Sequence, residues 1–380
     1  MTISSVGMTK PVPRIAIAHD YLTQRGGAER VVLSMHKAFP DAPIYTTLYD
    51  PENTFPEFTD ANIVTSPLNS ISFFRNDHRL ALPLLAPISS AFGVPADIVL
   101  TSSSGWAHGF AGPGRKLVYC HTPARWLYLP DHYLGNGKRH SPQAVALKVL
   151  SPFLKKWDQK RARDPRNAYL ANSTVVQQRI KSTYGIQAPV IFPPHSLETD
   201  GAQEAVPEIE HLAHGEYLLV VARLMRYKNV DKIIEATSKL GVPLVVVGSG
   251  PEKSALESME SKQTVFLSDL TDAQLRSVYS GAKALIAASH EDFGITPLEA
   301  ASWGIPTVAL KKGGYLDTIV ENETGLFFDE PNAAQIARGI QKMLDRDWDS
   351  SIIRSHADHF SEARFIEEIR QAVSRFDDQG

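Results

Sequence analysis

Short apolar runs alternate along this chain with longer stretches in which apolar positions recur every three or four residues, the pattern of buried strands separated by amphipathic helices. The first run, Ile15–His19, leads into the Gly-rich turn Arg25-Gly26-Gly27-Ala28 and then a helical pattern through Phe39. Further strands are expected at 44–49, 98–101, 117–120 and 168–172. Residues 190–215, with Pro193-Pro194 and a polar stretch rich in Glu, Asp and Gly, break the periodicity and mark a domain junction. A more regular series follows, with strands expected at 217–222, 243–247, 265–267, 284–287, 307–309 and 325–328. The last pattern, 360–376, is an amphipathic helix that comes after the second sheet is complete. These elements predict an α/β protein of two Rossmann-like doubly wound domains facing each other across a cleft, at residues 1–190 and 191–359, with the helix in 360–380 packing back on the first.

Length and composition agree with that division. A chain of 380 residues is long for one core, and 43% hydrophobic with 21% charged residues describes a folded protein, neither disordered nor fibrous. One cysteine, Cys120, excludes an intrachain disulfide framework and fits a reducing compartment. Residues 1–10 lack the apolar core of a signal peptide, and no run approaches the ~20 apolar residues that span a bilayer, so the expected location is cytoplasmic, extending to the inner membrane face.

Charge is unevenly placed. Residues 1–190 carry 21 Lys+Arg against 12 Asp+Glu, a balance of +9, whereas 191–380 carry 18 against 30, a balance of -12. Uneven surface charge without a partner accounts for this as well as an anionic acceptor or membrane surface does. No recognition motif accompanies the basic residues, so nucleic acid is not an expected partner.

Open α/β sheets bind ligands beyond the carboxyl ends of their strands, and those ends carry the candidate chemistry. Arg223 and Lys228, five apart on one loop, can neutralise a diphosphate, although solvated basic residues before a helix would look the same. Gly248-Ser249-Gly250 lets backbone approach a phosphate or ribose, but the third glycine of the dinucleotide fingerprint is absent, Lys253 standing in its place. In the segment Glu291-Asp292-Phe293-Gly294-Ile295-Thr296-Pro297-Leu298-Glu299, Thr296 is the natural N-cap of a helix and Pro297 suits its first turn. Glu299 then has two readings, a ligand-binding acid or the partner that completes a capping box. Glu291 precedes the helix and needs no capping partner. Its carboxylate can accept sugar hydroxyls, while the amides of 293–296 face an anion.

Lys311-Lys312-Gly313-Gly314 makes a fourth anion-friendly strand end. In the first half, Gly26-Gly27 can bring amides near a diphosphate, and His121 ends a strand, where a structural role competes with a functional one. Asp345, Asp347 and Asp349 have metal-ligand spacing but read as a solvated linker, and His356, Asp358 and His359 lack a complete zinc pattern.

Taken together, Gly26-Gly27-Ala28-Glu29, Ala222-Arg223, Lys228, Gly248, Glu291 with Glu299, and Gly313-Gly314 resemble the retaining glycosyltransferases of family 4, whose architecture is called GT-B. The resemblance runs over nearly the whole chain. It implies that Arg223 and Lys228 hold the donor diphosphate, Glu291 binds hydroxyls of the donor hexose and Glu299 the nucleotide ribose. Residues Phe293, Gly294, Ile295 and Thr296 would complete the cradle, with His121 near the reacting carbon and Gly26-Gly27 over the phosphates. Cys120-His121-Thr122-Pro123 and Glu291-Asp292-Phe293-Gly294 look most like bacterial O-antigen and exopolysaccharide mannosyltransferases. That implies GDP-mannose as donor, a polyprenyl-diphosphate-linked glycan as acceptor, and neither cofactor nor metal. Basic and aromatic residues at Phe73-Phe74-Arg75 and Lys155-Lys156-Trp157 suit an anionic membrane surface. Two other readings stay open: a nucleotide-sugar 2-epimerase of similar fold, and a non-catalytic glycan-binding or scaffold protein.

Overall fold

The computed structural model describes residues 12–76, 81–128, 142–195, 199–212, 214–259 and 263–379. Residues 1–10, read above for a leader segment, lie outside the described residues. Two six-stranded sheets organise the chain, and every pairing between their strands is parallel.

The first sheet contains β1 (Ile15–His19), β2 (Ile44–Thr46), β3 (Ile63–Thr65), β4 (Ile98–Ser103), β5 (Arg115–Cys120) and β6 (Asn167–Ala171), in the order β3-β2-β1-β4-β5-β6. The second contains β7 (Tyr217–Val221), β8 (Leu244–Val247), β9 (Thr264–Leu267), β10 (Ala282–Ala287), β11 (Thr307–Leu310) and β12 (Gly325–Phe328), in the order β12-β11-β10-β7-β8-β9. Each sheet therefore has the doubly wound order, with its switch point between the first and fourth strands, β1/β4 and β7/β10. Helices cover both faces of such a sheet, which is why β8, Leu-Val-Val-Val, is buried along its whole length. The architecture is GT-B: two Rossmann-like sheets in one chain.

Three differences from the expected elements have local causes. The strand expected over 44–49 stops at Thr46, where the chain turns to let the Thr47 hydroxyl donate to the Asp20 carbonyl. The edge strand β3 was not expected, since three residues are too few to show a period. Thr296 is not an N-cap: Ile295 holds that position without a side-chain cap, and Thr296 and Pro297 open the helix Thr296–Ser302.

The last helix, Glu362–Asp378, completes the first core. Phe365, Ile369, Ala372, Val373 and Phe376 pack with Ile17, Val31, Val32 and Leu100, while Glu362 takes hydrogen bonds from Ser34 Oγ and Lys37 Nζ, each at 2.7 Å. Among the described residues no helix is long and apolar enough to cross a membrane. Because Phe365 is 1% exposed and faces the first core, Phe365→Ala is expected to cost ~3–5 kcal/mol in urea unfolding. A loss below ~1 kcal/mol would show that the helix is not part of that core.

Candidate active site

The two switch points face each other across one cavity of about 440 Å3. From the first domain it is lined by Asp20 and Tyr21 after β1, Gly27 and Ala28 at the start of a helix, Ser104 to Trp106 after β4, and His121, Thr122, Arg125 and Trp126 after β5. From the second it is lined by residues 291–295, which follow β10. Its lining is polar at Asp20, His121, Arg125, Glu291 and Asp292, and an apolar wall is formed by Val31, Leu85, Trp106, Phe110 and Trp126.

Asp20 sets the geometry of the first switch point. Its carboxylate accepts the backbone N–H of Ser104, Trp106 and Ala107, each at 2.6 Å, together with the Ser104 hydroxyl at 3.1 Å. Those bonds tie the loop after β1 to the loop after β4. A carboxylate holding three amides and a hydroxyl is committed as an acceptor.

His121 is held from below by a relay across three strands. His19 pairs with Ser102 in the sheet, and its Nδ1 lies 3.1 Å from the Ser102 carbonyl oxygen. A carbonyl only accepts, so His19 Nδ1 carries hydrogen. The Ser102 hydroxyl, 3.0 Å from that nitrogen and 2.8 Å from His121 Nε2, joins the two rings. Burial, reinforced by His19, pushes His121 down to about 3, so it works as a neutral hydrogen-bonding ring.

In the second domain Lys228 Nζ donates to Glu291 Oε1 at 2.7 Å, and both side chains are largely buried. The Glu291 carbonyl accepts the N–H of Gly314 at 2.9 Å, so the two loops after β10 and β11 are stitched through backbone. Asp292 turns to the first domain instead, where Arg125 and Arg179 meet its carboxylate. Burial pushes Asp292 up, but the two guanidinium charges outweigh it and hold the carboxyl below its ordinary value.

The structure brings His121, Gly27, Glu291, Phe293, Gly294 and Ile295 to the cavity, with Lys228 attached through Glu291. Gly26, Arg223, Gly248, Thr296 and Glu299 do not line it. Gly26 is the N-cap of the helix Gly27–Ala38, and a Cβ there would meet the buried Glu29 carboxylate at 2.5 Å. Arg223 is exposed on the loop after β7. Gly248, at φ +149°, lies so close under Ala222 that a Cβ would sit 1.9 Å from its carbonyl oxygen. Its glycine is required by strand-end packing as well as by any ligand.

Glu299 completes no capping box. It is buried and accepts the Tyr279 hydroxyl at 2.8 Å. Lys311 and Lys312 pair with Glu321 and Glu330 at 2.9 and 3.3 Å, so these side chains are engaged with surface acids. Asp349 caps a helix, accepting the N–H of Ser351 at 2.8 Å, as a linker residue would.

Sequence reasoning missed Asp20, Arg125, Arg179 and the tryptophans of the apolar wall. Asp20 had a signal, since it follows β1 directly at a carboxyl end. Arg179 had none, being one of two basic residues on the helix Thr174–Tyr184.

Residues 203–363 match the profile of the family described as Glycosyl transferases group 1. This segment is a glycosyltransferase group 1 domain.

Over its greater length the chain is similar to human alpha-1,3/1,6-mannosyltransferase ALG2, 26% identical across 88% of this chain and 88% of that protein. It is also similar to a GDP-mannose-dependent alpha-(1-6)-phosphatidylinositol monomannoside mannosyltransferase of Mycobacterium tuberculosis, 24% identical across 46% of this chain and 52% of that one. Among solved structures, Anabaena Alr3699/HepE in complex with UDP and glucose superposes with a TM-score of 0.68 at 15% identity, covering 96% of this chain and 100% of that one. This last likeness is one of fold.

The pH dependence of stability tests the burial of His121. Its folded pKa of about 3 lies below the ~6.5 of an unfolded histidine. Between those values the unfolded chain binds the extra proton, so stability falls as pH falls, by up to about 1.4 kcal/mol per unit. His121→Asn is expected to flatten that slope in urea unfolding between pH 6.5 and 4, and an unchanged slope would mean that His121 is solvated.

Proposed function

We propose that this chain transfers a hexose from a nucleotide sugar, with mannose from GDP-mannose the favoured donor, to a lipid-linked glycan acceptor. The observation that carries the reading is the Lys228–Glu291 pair at the second switch point, set across one cavity from neutral His121 after β5. Lysine and Arg223 on the same loop suit a departing diphosphate, whose charge grows as the glycosidic bond breaks. Glu291 suits the hexose hydroxyls, and His121, as a neutral ring, brings no positive charge to an oxocarbenium-like carbon. Glu299, Gly248 and residues 293–296 would hold the ribose and phosphates, in keeping with the resemblance of their motif. Two relatives named above are mannosyltransferases, which supports the hexose, and one of them uses GDP-mannose.

A route that retains configuration is supported by the state of the other carboxylates lining the cavity. Asp20 is bound by three amides and Asp292 by two arginines, so neither is poised to attack the sugar. On this route the bond between anomeric carbon and diphosphate breaks, the acceptor oxygen bonds that carbon on the same face, and the acceptor proton passes to the departing diphosphate. The residues invoked require no metal or cofactor for that proton transfer.

The acceptor reading draws on the first domain. Ile71, Phe73, Leu84, Val149 and Phe153 are exposed there, near Arg75, Lys155 and Lys156. Apolar rings among basic side chains suit an anionic bilayer, and the apolar wall suits a greasy acceptor.

Incubation with a panel of GDP and UDP sugars and a membrane lipid extract, followed by mass analysis, should yield one lipid-linked hexose product. A new sugar nucleotide formed without acceptor would replace transfer with epimerisation. Lys228→Ala or Arg223→Ala is expected to cost about 3 kcal/mol in kcat/KM, and unchanged turnover would remove that residue from the site. On flotation with anionic vesicles, Phe153→Ser should lower the partition constant roughly tenfold, a ring being worth ~1.5 kcal/mol or more of apolar transfer. No recovery of the unmodified chain at low salt would count against docking.

A further inference from the structure

Glu291 is followed by two residues that each leave the second domain by a different path. Asp292 Oδ2 accepts Arg125 Nε at 2.8 Å and lies 2.6 Å from Arg125 Nη2, while Oδ1 accepts Arg179 Nη1 at 2.7 Å. Both arginines belong to the first domain. Arg179 also donates to the hydroxyl of Thr122, the neighbour of His121, so the segment that positions His121 is the one that receives Asp292.

Phe293 reaches the two stretches of chain that join the domains. Its ring stacks on Phe192 at 5.9 Å and 24°, and lies 6.1 Å from Phe360. Phe192 lies between β6 and β7, and Phe360 between the second domain and the last helix. Those two rings are 5.3 Å apart, and the His195 N–H donates to the Phe360 carbonyl at 3.1 Å, which ties one crossing to the other. A rotation of one domain against the other pivots at these crossings, beside the Phe293 ring.

We propose that Asp292 and Phe293 make the register of Glu291 against His121 conditional on domain closure, with Asp292 acting as a positioning residue for the transfer reaction. With the cleft shut, the two arginines hold the loop from above and the aromatic trio holds it from behind. With the cleft open, Asp292 and both guanidinium groups return to water. Hydration then replaces the ion pair at small net cost, which suits a contact that must form and break in each turnover. Glu291 and His121 thereby come into register in one movement, because Asp292 and Thr122 share Arg179. A second interdomain contact lies alongside, where Asp317 accepts the N–H and hydroxyl of Thr174 at 2.8 and 2.6 Å.

The turnover arm of the test rests on the transferase reading above, and the scattering arm does not. Asp292→Asn, Arg179→Ala and the double variant would be compared with the unmodified chain by small-angle X-ray scattering, GDP and UDP calorimetry, melting and donor kinetics. Each single variant is expected to increase the radius of gyration and to lower kcat roughly five- to fiftyfold, the range of coupling energies between sites. Nucleotide affinity and melting temperature should stay within twofold and two degrees or so of the unmodified chain. The double variant should match Asp292→Asn alone, since Arg179 acts through Asp292, and Arg179→Ala, which leaves the Arg125 pair in place, should have the smaller effect.

Unchanged dimensions would overturn the proposal, as would effects that multiply in the double variant. So would a loss that falls on nucleotide affinity, which would make Asp292 a ligand contact. If the unmodified chain turns over no nucleotide sugar, the transferase reading falls, and the scattering cycle alone supports or overturns the closure contact.

Discussion

A parallel sheet covered by helices on both faces leaves polar chemistry only one place to go. Its interior strands are apolar along their length, as in β8, and its backbone groups are spent on neighbouring strands. The loops at the carboxyl ends are exempt, and where successive connections diverge to opposite faces those loops part and leave a crevice. This chain contains two such crevices, β1/β4 and β7/β10, turned toward each other. The placement of Asp20, His121, Lys228 and Glu291 follows from that single constraint on where unpaired polar groups can reside.

Within the crevices, rigidity comes from polar contacts that are already satisfied. Asp20 spends its lone pairs on amides of the facing loop, and Ser102 fixes the ring of His121 through a relay anchored in the sheet. Backbone stitching between Glu291 and Gly314 does the same on the other side. Groups held in this way reorganise little when charge develops nearby, which is what an electrostatic site requires. The domain contact at Asp292 is of another kind, being built from charges that water can compensate.

The doubly wound class and the two sheets were legible in the sequence because each rests on local pattern. Apolar runs and Gly-rich turns report themselves within a few residues. The three-residue β3 was too short for its pattern to be seen, and Thr296 was misplaced by one residue because a Thr-Pro pair fits either side of a helix boundary. Glu291 was separable from Glu299 by its position before the helix, but the fate of Glu299 depended on Tyr279, which is distant in sequence. Arg125 and Arg179 could not be singled out for the same reason: their meaning lies in Asp292, on the other domain.

The helix Glu362–Asp378 carries a consequence for biosynthesis. It supplies Phe365, Ile369, Ala372, Val373 and Phe376 to a core whose other buried members lie before residue 192. A ribosome moving at about 5–20 residues per second leaves the first sheet waiting roughly 10–40 s for that cover. During the interval the apolar face around Val31 and Leu100 is open, while the second domain, whose core draws on nothing beyond Phe360, can already fold. The half of the protein made first is therefore the half completed last, and the nascent chain carries an apolar surface that a chaperone could recognise until the final helix closes it.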